Sequence, residues 1–266
     1  MILTSVFIVA GYCASSLLIF LHLANTNSAR WVQLTPALIA VLLQALLLRQ
    51  QIYTSPGTMN LGFFIAFSLI SWLVSVQILI SCAYRPLHSL GIVMFPISAL
   101  ATLLSVFIPA GQSSGISADP SLQLHIMLSV IAYSLIMLSA LQAIALAFQE
   151  HAIRSHHPGG LVRFLPPLFD MENLLFQMIG FGFIFLTTAL FSGVFFIEDL
   201  FAQHLVHKTV LSIAGWVILA ILLFGRFKFG WRGRVAIYWT LAAFTTIMLA
   251  YFGSKLVIEY LLPTTA

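Results

Sequence analysis

Three histidines carry the clearest chemistry in this chain: His125, His204 and His207. His125 begins an apolar run just after Asp119-Pro120-Ser121-Leu122-Gln123-Leu124. Ser129 and Tyr133 follow at i+4 and i+8, so all three share one helix face. His207 begins a later apolar run, and His204 lies one turn before it. Two imidazoles on different helices at one depth can clamp a planar metal cofactor. Haem iron takes axial histidines in this way, and an apolar, aromatic surround suits the porphyrin. Phe191, Phe195 and Phe196 are placed to form such a wall. The spacing alone also fits histidines that only hydrogen-bond at a membrane interface.

The other residues with chemical potential read as structural. His22, His88, His151, His156 and His157 fall at or beyond the opposite membrane face, as helix caps or solvated loop residues. Adjacent His156 and His157 diverge in most backbones, and no Cys or third convergent ligand accompanies them. Cys13 and Cys82 form no CxxC pair, which argues for packed apolar residues over a disulfide or a thiol relay.

The elements that must position these residues follow from composition. The 266 residues are 61% hydrophobic and only 7% charged. No single soluble core could hide that much apolar surface. A membrane-spanning helix needs roughly 20 apolar residues. Eight such runs are expected: 2–24, 31–49, 60–82, 87–109, 122–148, 173–197, 208–226 and 235–262. They are continuously apolar with no alternation, so they are helices and not barrel strands. The expected fold is therefore an all-α polytopic bundle of about eight transmembrane helices, one membrane domain over 1–266. No Lys or Arg precedes Arg30, so a cleaved leader with a basic start is not expected.

Lys and Arg set the orientation. Loops one, three, five and seven carry Arg30, Arg85, Arg154, Arg163, Arg226, Lys228, Arg232 and Arg234; the other side has Arg49, Lys208 and Lys255. This bias puts both termini outside, in the periplasm if the cell is Gram-negative. The net charge of +4 is then a topology signal. Nothing in it points to nucleic acid, since no basic patch is interleaved with aromatics.

No Asp, Glu, Lys or Arg sits near the middle of a span, whereas ion-coupled carriers place ionisable groups there. A small-molecule transporter is accordingly the weakest of three functional readings. Gln44, Gln77, Gln142 and Gln177 are the strongest polar groups within spans, suited to hydrogen bonds between helices. Ser68, Ser71 and Ser75, and likewise Ser98, Thr102 and Ser105, form stripes that let helices approach closely. Pro96 should bend its helix. The segment from Leu161 to Met171, apolar but holding Arg163 and Asp170, is expected along the inner interface.

Several motifs together resemble a known family. The run LQLHIMLSVIAYSL (Leu122 to Leu135) resembles the His-containing helix of the CcsA/HemX family of cytochrome c assembly membrane proteins. The segment from Leu165 to Phe195, with its late Gly193, is similar to the helix that follows there. The stretches from His207 to Arg234 and from Leu249 to Val257 continue the likeness, which spans roughly 60–262 and is clearest after Leu122. Within the family the likeness is greatest to the YpjD-type branch of bacterial inner-membrane proteins.

The resemblance implies a bacterial inner-membrane protein that handles haem and assists cytochrome c maturation. Partners would be the bilayer, haem, and proteins of cytochrome maturation or haem biosynthesis. Haem-handling members bind haem with outer-face histidines flanking a Trp-rich segment, and His125 falls where the first of these lies. The chain departs from the pattern elsewhere. The loop from Phe196 to Lys208 contains no Trp, and no histidine follows Gly253. His207 and His204 are substitute ligands suggested by position, with Ser129 and Tyr133 shaping the pocket. These departures argue for binding over haem attachment to thiols, so no catalytic residue is assigned. They also give a second reading, a HemX-like regulatory or scaffolding protein that meets partners through its inner loops.

Overall fold

The structure is a computed structural model that describes residues 1–25, 30–53, 58–84, 88–108, 115–117, 119–155, 167–196 and 206–256. Eight long helices run through them: α1 (Ile2–Asn25), α2 (Arg30–Ile52), α3 (Phe63–Tyr84), α4 (Gly91–Phe107), α5 (Pro120–Arg154), α6 (Leu168–Phe196), α7 (Val206–Phe229) and α8 (Arg234–Met248). Among the described residues, seven helical stretches are long and apolar enough to cross a membrane, the last running from Arg234 to Leu256. The 17-residue α4 is apolar but shorter. The protein is a multi-pass helical membrane protein, and each expected span overlaps one of these eight helices.

The helices fall into two compact units, residues 1–118 and 119–266. In the first, α1 packs on α2 and α4, and α3 bridges α2 and α4. Helix α1 approaches α2 closely at Gly11, where a Cβ would lie 2.8 Å from the Pro36 carbonyl oxygen. A three-residue antiparallel pair, β1 (Thr58–Asn60) with β2 (Gly115–Ser117), links two connections.

This unit carries a buried polar chain. The Tyr12 hydroxyl donates to Gln44 Oε1 at 2.6 Å, and Gln44 Nε2 donates to Ser68 Oγ at 3.0 Å. Ser75 and Ser98 meet at 2.8 Å, tying α3 to α4, and Gln51 Nε2 donates to the Ser105 carbonyl at 3.1 Å. The serine stripes therefore act as packing surfaces that also satisfy their own hydroxyls, as lipid demands of polar groups in a span.

In the second unit α5 packs along α6 and against α8, and α7 packs on α6 and α8. Helix α5 starts where Asp119 caps it, accepting from the backbone amides of Ser121 and Leu122, with Pro120 at the first helical position. It runs for 35 residues, longer than its apolar run, because Gln149, Glu150 and Arg154 continue the helix as polar residues. At ~1.5 Å per residue α5 is about 50 Å long, beyond the ~30 Å hydrocarbon core.

One end of this unit is charged. Glu150 on α5 meets both Arg154 and Arg234 at 3.3 Å. The buried Glu172 on α6 accepts from the Gly233 amide at 2.8 Å, in the turn between α7 and α8. Gly233 holds φ at +54°, a backbone conformation other residues resist. Arg226 lies over the Phe176 ring at 4.5 Å and donates to the Trp231 carbonyl. The ends of α5 and α7 and the starts of α6 and α8 thus share one end, as the alternating charge pattern implies for loops five and seven.

Three expectations change. Leu168 to Met171, the end of the expected interfacial segment, form the first turn of α6 directly after Pro166 and Pro167; residues 161–166 lie outside the described residues. Gln177 is exposed on the surface of α6, while Gln142 does reach across, donating to the Met171 carbonyl at 3.2 Å. Cys13 is exposed on α1 and Cys82 is buried, so only the second is packed inside.

Candidate functional site

At the end of the second unit opposite the charged cluster, His125 lies in the second turn of α5 and is half-buried. Its partners come from the last turns of α6. The ring Nδ1 lies 2.9 Å from Ser192 Oγ. Ser192 in turn donates to the Ala189 carbonyl at 2.8 Å, an i−3 bond within its own helix. Gly193 sits directly beneath the ring: a Cβ there would come 3.2 Å from His125 Cε1 and 3.6 Å from Nδ1. The sequence Phe191-Ser192-Gly193-Val194-Phe195 is thus a small gap between bulky residues, and the imidazole fills it.

The aromatic wall is arranged differently from expectation. Phe191 is 62% exposed and Phe195 78% exposed. Both point away from the α5–α6 contact, because Ser192 and Gly193 occupy the inward face of the same turn. Nothing is described for the Phe196 side chain.

Tyr133 is buried two turns further along α5, in a second cluster. Its ring centroid lies 5.7 Å from that of Tyr251, and its hydroxyl reaches the Ser212 side chain on α7. Tyr251 belongs to a π-helical stretch, Leu249–Gly253, that interrupts the last span before Ser254–Leu256 resumes it. Such one-turn widenings recur at functional sites. Ser129, between His125 and Tyr133, is half-buried. His207 is exposed in the first turn of α7, and no hydrogen bond or ring contact joins it to His125 among the described residues. His204, His156 and His157 lie outside the described residues. His151 is exposed at the end of α5.

The sequence singles out His125 and Tyr133, which lie in separate clusters, and gives no direct sign of Ser192, the residue that touches His125. The only indirect sign is the Ser-Gly pair set among phenylalanines, and a contact spanning 67 positions leaves no periodic trace.

This fold and site define a polytopic helical membrane protein with a histidine seated between two helices at one end of its second unit. Residues 31–262 match the family described as cytochrome C assembly protein. The chain belongs to that family. It is 28% identical to the inner membrane protein YpjD of Escherichia coli K12 over 249 residues, covering 93% of this chain and 94% of the relative. A 28.8 kDa protein encoded in the nifR3-like 5' region of Azospirillum brasilense is 34% identical over 171 residues, 64% of this chain and 63% of that protein. The cytochrome c biogenesis protein CcsA of Chlamydomonas reinhardtii is 22% identical over 201 residues, 71% of this chain and 56% of that protein. No solved structure matches.

Proposed function

We propose that this protein binds haem at the outer face of the bacterial inner membrane, with both termini outside, and assists cytochrome c maturation. His125 would hold the haem iron. Family membership supports the reading, and one observation in the chain carries it: a half-buried imidazole whose Nδ1 is engaged by Ser192. An imidazole fixed through one nitrogen is the usual state of a metal-ligating histidine. The donor chemistry therefore fits haem iron. His207 or His204 would supply a second ligand, and Ser129 and Tyr133 would shape the pocket. Haem is the cargo here, and the iron's redox chemistry is its own. The chain's residues bind it, orient it and keep water from it. The partners are proteins of cytochrome maturation or haem biosynthesis.

Purified protein should take up haem and show a Soret band that shifts on reduction, and His125→Ala should remove or displace that band. A protein that stays colourless with haem under reducing conditions defeats the proposal. The second reading, a HemX-like regulatory or scaffolding protein, is favoured by the Trp-free loop between Phe196 and Lys208. It predicts specific crosslinks from the inner loops to a partner and no Soret band.

A further inference from the structure

We propose that Ser192 and Gly193 are the positioning pair for His125, setting which ring nitrogen is free to meet a metal. The inference rests on the haem reading for its purpose, but its geometry stands apart from haem. A serine hydroxyl has one proton to give. The Ala189 carbonyl can only accept; it lies 2.8 Å from Ser192 Oγ and also engages the His125 ring, so the Ser192 proton is assigned to it. The lone pairs of Ser192 Oγ then face His125 Nδ1 at 2.9 Å. That contact is attractive only when Nδ1 carries the proton. The neutral imidazole has a single ring proton, so Nε2 is left bare with its lone pair. A bare nitrogen is what a metal bond requires.

Gly193 completes the seat. A side chain there would press on Cε1 at 3.2 Å, a distance at which the ring must give by a few tenths of an ångström. That shift would pull Nδ1 off Ser192. The Ser-Gly order matters, since the hydroxyl and the gap must lie on one helix face within one turn. Neither residue touches the metal in this scheme; both act through His125.

The test separates the two claims. Full-length protein labelled with 15N-histidine is measured free of haem at a pH where the imidazole is neutral, with the His125 signals assigned by their loss in His125→Gln. Nδ1 should show the protonated ring-nitrogen shift and Nε2 the bare one. Ser192→Ala should move the ring toward the Nε2-protonated form that free histidine prefers, and Ser192→Thr should restore the native pattern. Haem titration should then show about tenfold weaker binding for Ser192→Ala, recovered in Ser192→Thr. A wild-type ring protonated on Nε2, or a ring indifferent to Ser192→Ala, overturns the proposal; the wild-type spectrum decides even if Ser192→Ala fails to fold. The native nitrogen pattern without any haem uptake upholds the seat and defeats the haem reading instead.

Discussion

The two units use the same hydroxyl chemistry to different ends. In the first, Tyr12, Gln44 and Ser68 bond one another across three helices, and Ser75 and Ser98 lock a fourth, so these polar groups consume one another. In the second, Ser192 Oγ lies 2.8 Å from a carbonyl of its own helix and 2.9 Å from His125 Nδ1. The first arrangement closes a bundle; the second, in the proposed tautomer, leaves a nitrogen for an outside ligand. A buried polar group can therefore mean packing or function, and the difference lies in whether its partners exhaust its valence.

Mutations sharpen that contrast, because changes in one unit should move stability and changes in the other should move binding. After the loss of the band expected for His125→Ala, the largest effect is expected at Gly193. Gly193→Val should push the ring from its seat and weaken haem binding about tenfold to hundredfold in a titration, with thermal unfolding in detergent little altered. His207→Ala should weaken binding less than His125→Ala and change the ligand-field signature of the iron; an unchanged spectrum assigns the opposite position to His204. In the first unit, Gln44→Leu leaves the Tyr12 hydroxyl without its acceptor and should cost about 1–2 kcal/mol of stability, read as a lower thermal midpoint with haem binding intact. Ser98→Ala removes the contacts of α4 with Ser75 Oγ and the Ser71 carbonyl of α3 and should cost about 1 kcal/mol. Equal effects of all four on haem binding would erase the distinction between the units.

Much of this architecture is written in the sequence because lipid enforces a simple rule. Backbone polar groups must be paired within each span, so long apolar runs become helices, and their ends fall where charges begin. That is why Phe63–Tyr84 and Val206–Phe229 lie close to the expected spans. Helix α5 outruns its apolar stretch because helix continues where polar helix formers do, and hydropathy is blind to them. The π-stretch at Leu249–Gly253 and the short β1–β2 pair left no sign in periodicity, since each depends on contacts with other segments. His125 stands out in the sequence through its motif. Ser192 does not, because its role exists only once α5 and α6 lie side by side.

The central claim is that His125 holds haem, and an absorption spectrum tests it most directly. The detergent-purified protein, reconstituted with haem and then reduced, should give a Soret band that shifts with redox state in the native chain and is lost or displaced in His125→Ala. An identical spectrum in the two proteins, or no Soret band in either, would contradict the account.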